Sequence, residues 1–171
     1  MKDILKYTNS LLNDKLKYIE SKFSILVTLP TALTVFSATY LNNFPPLITA
    51  LSSIAIIFSL ISVLYGFLAI FSRRYKTKEY VKLDKKINIF YYKDISKINE
   101  KNYLEEIIKN YPNLKGYKSD NFDLDLSKQI VNTSQEIYQK NIFFNFSIVF
   151  LLISLITESL AIFLLGLGIN I

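Results

Sequence analysis

Residues 47–71 form an uninterrupted apolar stretch, LITALSSIAIIFSLISVLYGFLAIF, which constrains the fold more than any other feature of the chain. It contains no charged side chain, and Arg73, Arg74 and Lys76 follow it almost immediately. A helix of about 20 apolar residues is long enough to cross the hydrocarbon core of a bilayer. The stretch therefore predicts a transmembrane helix and not the buried helix of a soluble domain.

Two further apolar blocks, at residues 23–41 and 142–169, predict two more spans. The composition agrees, because 51% of the 171 residues are hydrophobic and the mean hydropathy is positive. Residues 42–46 are short and uncharged, so we expect the first two spans to form an antiparallel hairpin. Three spans alone make a thin bundle, and we therefore expect a homo-oligomer in the lipid bilayer.

Basic residues precede the first span and follow the second, whereas the turn between these spans has none: Lys15, Lys17, Lys22, Arg73, Arg74, Lys76 and Lys78. Loops that carry an excess of lysine and arginine stay in the cytoplasm. The pattern predicts a multi-pass protein with its N-terminus in the cytoplasm and its C-terminus outside. The net charge of +6 fits this bias of the loops better than it fits nucleic-acid binding.

The residue types that are missing exclude much chemistry. The chain has no histidine and no cysteine, so it can form neither a Ser-His-Asp triad nor a Cys/His zinc site. It has no glycine-rich phosphate loop and no cluster of carboxylates. We therefore expect no enzyme, no metal site and no resident cofactor.

The polar parts of the chain show helical patterns. Leu5, Leu12, Ile19 and Leu26 recur every seven residues and predict an N-terminal amphipathic helix. Such a helix lies either on the membrane surface or against another cytoplasmic helix. We favour the second alternative, with the helix that leads into the third span as the partner.

The region between the second and third spans is predicted to be small and mainly helical. Asn99 is a candidate cap for a helix over residues 100–110, which Pro112 ends. Residues 112–125 indicate a loop, and from about Leu126 a helix continues into the third span. Residues 87–92 (INIFYY) are β-prone in composition and indicate either an extended or a helix-capping segment.

Small and hydroxyl side chains line up along each span, a pattern that indicates close helix packing or the lining of a pore between copies. The stripes consist of Ser24, Thr28, Thr31, Thr34, Ala38 and Thr39 in the first span, Ser52, Ala55, Ser59, Ser62, Gly66 and Ala69 in the second, and Ser147, Ser154, Glu158 and Ala161 in the third.

Glu158 is the only acidic or basic side chain within the three spans. A charge at this depth costs about 2.5–3.5 kcal/mol on insertion scales, so the side chain should face protein or water. Two interpretations remain open: a gating residue on an ion pathway, or a neutral carboxyl that bonds to a neighbouring helix.

Aromatic and basic residues alternate after the second span, where Tyr91, Tyr92 and Lys93 could stack on a base and neutralise a phosphate. Together with residues 17–26 (KYIESKFSIL), the segment 90–95 (FYYKDI) and the helix over 126–140 resemble, in order and spacing, the Pycsar transmembrane effectors of bacterial antiphage defence. The likeness extends over roughly residues 17–155.

This resemblance implies an inner-membrane protein that senses a cyclic pyrimidine mononucleotide, cCMP or cUMP, made by a partner cyclase, and then impairs the membrane. Its candidate ligand-binding residues are Tyr91, Tyr92, Lys93, Arg73 and Arg74, with the nucleotide acting as an activating ligand. The competing hypothesis is a constitutive membrane protein, such as a bacteriocin immunity protein, a holin-like toxin or a complex subunit.

The sequence thus predicts an all-α membrane protein with four parts. They are a cytoplasmic amphipathic helix (1–22), a two-span hairpin (23–72), a cytoplasmic sensor region (73–141) and a third transmembrane helix (142–171).

Overall fold

The computed structural model describes residues 1–40, 45–71 and 87–168. These residues form five α-helices and no strand: α1 (Lys2–Tyr40), α2 (Pro46–Phe71), α3 (Tyr92–Ile95), α4 (Glu100–Asn110) and α5 (Asn121–Gly166), with a 3-10 turn at Pro112–Leu114. Three of them, α1, α2 and α5, are long and apolar enough to cross a membrane. The predicted all-α membrane protein with three spans is confirmed.

The described residues belong to two compact units. Residues 1–19 and 87–140 form the first, which we call the polar unit. Residues 20–40, 45–71 and 141–168 form the second, which we call the membrane unit. Helices α1 and α5 contribute residues to both units.

The amphipathic seam of α1 is buried inside the polar unit. Leu5, Leu12 and Ile19 are almost fully buried, and Thr8 lies between them without exposure. At the amino end of the helix, the Lys2 Nζ atom is 2.9 Å from Asp120 Oδ2 and 5.5 Å from the centre of the Phe122 ring. This part of α1 therefore packs within the polar unit, with the beginning of α5 as one of its neighbours, and the cytoplasmic location of the helix stays a prediction.

Helix α4 begins where its cap residue predicts. The side chain of Asn99 accepts a hydrogen bond of 2.7 Å from the backbone N–H of Asn102, and the helix runs from Glu100 to Asn110. Tyr103, Leu104 and Ile107 are buried on its inner face. Residues 87–91 form a turn that ends at Tyr91, the N-cap residue of the short helix α3. Of the two alternatives for the segment 87–92, extended or helix-capping, the structure shows the helix-capping one.

Helix α5 begins at Asn121, five residues before the predicted start at Leu126, so the prediction of a loop over residues 112–125 was wrong at its end. The cause is reciprocal capping. The Asp123 backbone N–H donates to Asp120 Oδ1 at 2.9 Å, and the Asp120 N–H donates to Asp123 Oδ2 at 3.3 Å. The Tyr117 hydroxyl adds a bond of 2.8 Å to the same Asp123 oxygen.

Asp120 caps α5 and forms an ion pair with Lys2, and two substitutions distinguish these two roles. The hydrogen bond and charge of Lys2 hold the pKa of Asp120 below its ordinary value. Asp120→Asn keeps an N-cap but removes the ion pair, whereas Asp120→Ala removes both. We expect thermal unfolding in detergent to show a larger fall in Tm for the alanine variant than for the asparagine variant.

The effect of pH on Asp120 has a definite sign. A carboxyl with a lowered folded-state pKa stabilises the fold above its unfolded pKa, and this contribution disappears as the pH falls through the folded pKa. The difference in Tm between wild type and Asp120→Asn should therefore be present at neutral pH and shrink in acid and in high salt. A difference that stays constant across pH would contradict the ion-pair role.

Hydroxyl groups join α2 to its two neighbours in the membrane unit. Ser62 Oγ lies 2.8 Å from the Ser147 carbonyl oxygen, and Ser147 Oγ lies 2.9 Å from the Ser62 carbonyl oxygen. Ser154 donates to the Ala55 carbonyl at 2.8 Å, and Ser59 donates to the Pro30 carbonyl at 2.6 Å. The packing interpretation therefore holds for the second and third spans.

Most of the stripe in the first span does not pack against the other spans of the chain, so for this stripe the packing and pore interpretations both stay predictions. Ser24, Thr28, Thr31 and Ala38 are exposed on the surface of the chain, and Thr34 alone of the described stripe bonds to α2, through the Ser59 hydroxyl at 3.0 Å. Thr28 and Thr31 donate instead to carbonyls of their own helix, so they need no partner from another span. The side chain of Thr39 lies outside the described residues.

Candidate functional site

A cleft of about 490 Å³ opens in the polar unit between the segment before α3 and the end of α4. Four consecutive residues of the segment and two residues at the end of α4 line it: Ile87, Asn88, Ile89, Phe90, Asn110 and Tyr111. Its volume lies within the range of about 300–1,000 Å³ that is usual for small-molecule sites. We call it the aromatic cleft.

Tyr103 fixes the segment that forms one wall of the aromatic cleft. The Tyr103 ring is fully buried, and its hydroxyl donates a hydrogen bond of 3.0 Å to the Ile89 carbonyl. Burial raises the pKa of Tyr103 to about 12, and a hydrogen bond from the Thr8 hydroxyl acts in the opposite direction. Tyr103 is therefore a neutral donor at physiological pH and ties the segment to α4.

Two amide side chains give the aromatic cleft its polar character. Asn88 Oδ1 accepts a hydrogen bond of 3.0 Å from the Phe90 backbone N–H, and Asn110 Nδ2 donates one of 2.8 Å to the Glu106 carbonyl. Each amide is thereby held through one of its two ends. Among the described residues, Asn88 Nδ2 remains as a donor and Asn110 Oδ1 as an acceptor for a ligand.

Three of the predicted ligand-binding residues are described, namely Tyr91, Tyr92 and Lys93. They follow the lining residue Phe90 directly in the chain but do not line the aromatic cleft. The rings of Tyr91 and Tyr92 meet edge to face at 5.1 Å, and Lys15 Nζ lies 4.6 Å from the centre of the Tyr92 ring. Tyr91 is 41% exposed, and Lys93 is also exposed. Arg73 and Arg74 lie outside the described residues, and the ligand-binding role of all five stays a prediction.

Sequence reasoning missed five of the six described residues that line the cleft, namely Ile87, Asn88, Ile89, Asn110 and Tyr111. The two asparagines belong to no motif, and they line the same cleft only because α4 folds back onto the segment before α3. Tyr111 is the C-cap residue of α4. Its position directly after the helix, where the chain turns into the 3-10 element, was the available signal that its ring could serve a site.

Glu158 lies in a separate site in the membrane unit. It is 6% exposed, and its Oε2 atom has no hydrogen-bond partner among the described residues. It faces a partly open cavity of about 250 Å³ that described residues of all three spans line, and we call this the Glu158 cavity: Phe36, Ile48, Ser52, Glu158, Ala161, Ile162 and Leu165. Glu158 is buried and lines a cavity, in agreement with the expectation that it faces protein or water, whereas its gating role stays a prediction.

The fold and the aromatic cleft together define a class: a multi-pass helical membrane protein with a polar unit that has room for a small molecule. The chain belongs to the Pycsar effector family, because the family model described as the Pycsar effector protein domain matches residues 4–167. The resemblance inferred from the sequence is thereby confirmed. No curated protein and no solved structure matches the chain.

Membership in this family gives the chain the role of a Pycsar antiphage effector that acts as a membrane protein. The matched residues extend over both units, so the polar unit and the three spans are parts of one family domain.

Proposed function

We propose that the polar unit senses a cyclic pyrimidine mononucleotide, cCMP or cUMP from a partner cyclase, and that the bound protein impairs the bacterial inner membrane. The observation that carries this proposal is the aromatic cleft, which combines two rings and two amides in a member of the Pycsar effector family. Its volume lies in the usual range for small-molecule sites and is large enough for a mononucleotide.

The lining of the cleft matches the chemistry of a pyrimidine. Phe90 and Tyr111 provide flat rings, and a base stacked on an aromatic side chain gains about 1–3 kcal/mol. Asn88 Nδ2 and Asn110 Oδ1 provide one donor and one acceptor, and the edge of cytosine or of uracil offers one of each. Tyr91 and Tyr92 remain candidates for contacts beside the base, and Lys93, Arg73 and Arg74 for contacts to the cyclic phosphate.

The ligand chemistry requires the polar unit to lie in the cytoplasm, where the cyclase product accumulates. The distribution of lysine and arginine around the first two spans supports this orientation, with the N-terminus inside and the C-terminus outside. We further propose that the active form is a homo-oligomer, because three helices provide few surfaces for a path through the membrane.

Helix α5 offers a direct connection from ligand to membrane. It is continuous from Asn121 to Gly166, so one helix contributes both to the polar unit and to the third span with Glu158. A ligand changes the arrangement of this helix only to the extent that it binds two arrangements with different affinity. We propose that the nucleotide favours the arrangement in which the membrane is impaired.

The decisive experiment expresses the chain in bacteria and follows membrane potential while cCMP, cUMP, cAMP or cGMP is supplied. Depolarisation with one pyrimidine nucleotide, and none with the purine nucleotides, is the expected result. Calorimetric titration of the purified full chain should show the same preference. Depolarisation without any nucleotide would indicate a constitutive toxin, and no response in any condition would favour an immunity protein or a complex subunit.

Glu158→Gln tests the gating role of the third span. The substitution keeps the size of the side chain but removes its charge, and we expect nucleotide-dependent depolarisation to change several-fold while nucleotide affinity in the polar unit stays the same. Ser159→Ala, at the next and exposed position of α5, is the matched control. Unchanged depolarisation together with an unchanged oligomer size would contradict the gating role.

A further inference from the structure

The Glu158 cavity takes no part in the proposed recognition of the nucleotide, yet it has the features of a binding site. Glu158 is 6% exposed, and no described residue bonds to its Oε2 atom. Buried polar atoms in proteins nearly always have a hydrogen-bond partner. A buried carboxyl oxygen that faces a cavity and has no partner among the described residues leaves room for a partner from outside the chain.

The walls of the Glu158 cavity decide the chemistry of that partner. Among the described residues that line it, Ser52 is the only other one with a hydroxyl or a charge, and the rest are apolar. Ca²⁺ takes six to eight oxygen ligands and Mg²⁺ takes six, several of them water molecules, whereas the described lining offers one carboxyl and one hydroxyl among apolar side chains. An ammonium group needs a single counter-ion and few acceptors, and a hydrocarbon body would lie against Phe36, Ile48 and Leu165.

The size of the cavity limits the occupant further. A cavity of about 150 Å³ is large enough for one benzene molecule, and pockets for drug-sized ligands begin at about 300 Å³. The volume of about 250 Å³ therefore suits one ring, or a short branched alkyl group, together with an amino group.

We propose that the Glu158 cavity is a binding site for a small organic ammonium ion, with the Glu158 carboxylate as its counter-ion. A buried carboxylate without a partner is destabilising, and an ammonium supplies both the opposite charge and a hydrogen-bond donor. Ser52 provides a second oxygen for the same group. The described residues that line the cavity all belong to the membrane unit, so the ammonium site shares no lining residue with the aromatic cleft.

The test uses the purified full chain in bilayer discs of zwitterionic phosphatidylcholine, with para-fluorobenzylamine as the probe and fluorine NMR as the readout. The neutral analogue para-fluorobenzyl alcohol has nearly the same shape and controls for partition into lipid. Saturable binding of the amine, at least about tenfold tighter than that of the alcohol, is the expected result for the wild type. Equal binding of both probes, or partition without saturation, would overturn the proposal.

Variants then locate the site. Glu158→Gln should weaken amine binding at least about tenfold and leave alcohol binding unchanged, whereas Ala161→Leu should fill the cavity and abolish binding of both probes. Glu105→Gln, which removes an exposed carboxylate from the polar unit, should behave as wild type. Amine affinity that is equal in wild type and in Glu158→Gln would refute the assignment.

If Glu158→Gln does not fold, binding of the two probes to the wild type and to Ala161→Leu still tests the proposal. Saturable amine binding that survives in Ala161→Leu would refute it.

Discussion

Replacing Gly66 by leucine is expected to separate the spans of the membrane unit. A Cβ atom at this position would lie 3.3 Å from Val27 Cγ2 and 3.9 Å from Ser147 Oγ, so even the first carbon of a side chain meets both neighbouring spans. Overpacking of a tight core costs about 1–3 kcal/mol. The leucine would also displace the mutual hydrogen bonds of Ser62 and Ser147, which adds about 1–2 kcal/mol.

Thermal unfolding in detergent measures this effect, and we expect Gly66→Leu to show a larger fall in Tm than either Asp120 variant. The chain offers a matched control in Gly166, where a Cβ atom would meet nothing within 4 Å. Gly166→Leu should therefore leave Tm close to that of the wild type. A similar Tm for both glycine variants would mean that Gly66 does not set the distance between the spans.

The second large effect is expected for Phe90→Ala in the aromatic cleft. The substitution removes one of the two rings that line the cleft among the described residues, and the loss of a stacking partner corresponds to about 1–3 kcal/mol, or roughly tenfold to a hundredfold in nucleotide affinity. Calorimetric titration of cCMP and cUMP into the purified variant measures the change directly. Depolarisation in cells should then require a correspondingly higher nucleotide concentration.

The control for Phe90→Ala is Tyr7→Ala. The Tyr7 and Phe90 rings meet edge to face at 6.0 Å, so both substitutions remove the same aromatic contact. Tyr7 does not line the cleft, and its loss should leave affinity within a few-fold of the wild type. An equal loss in both variants would show that the ring pair supports the fold of the segment and does not contact the base.

Local signals in the sequence account for the parts of the fold that could be predicted. Helix α4 was predicted with correct bounds because its cap, Asn99, and its terminator, Pro112, act on adjacent residues. The start of α5 was misplaced because its cap is the pair Asp120 and Asp123, and several turn-forming residues surround this pair. Propensity alone does not show which of two nearby aspartates ends a loop.

Sites made from separate elements were harder to predict than the helices. The stripes of α2 and α5 were interpreted correctly because Ser62 and Ser147 have partners on a facing helix. In α1, Thr28 and Thr31 have the same spacing but bond to their own backbone, and the sequence does not distinguish these two uses of a hydroxyl. The two amides of the aromatic cleft come together only through the tertiary fold, which no local pattern encodes.

The exposed threonines of α1 have a consequence for the resting cell. Because Thr28 and Thr31 each satisfy their hydroxyl within α1, this face tolerates lipid without an unpaired polar group. A newly made chain can therefore remain dispersed in the bilayer and does not need to assemble in order to hide that face. If the nucleotide activates the protein as proposed, inactive copies can accumulate in the membrane before infection.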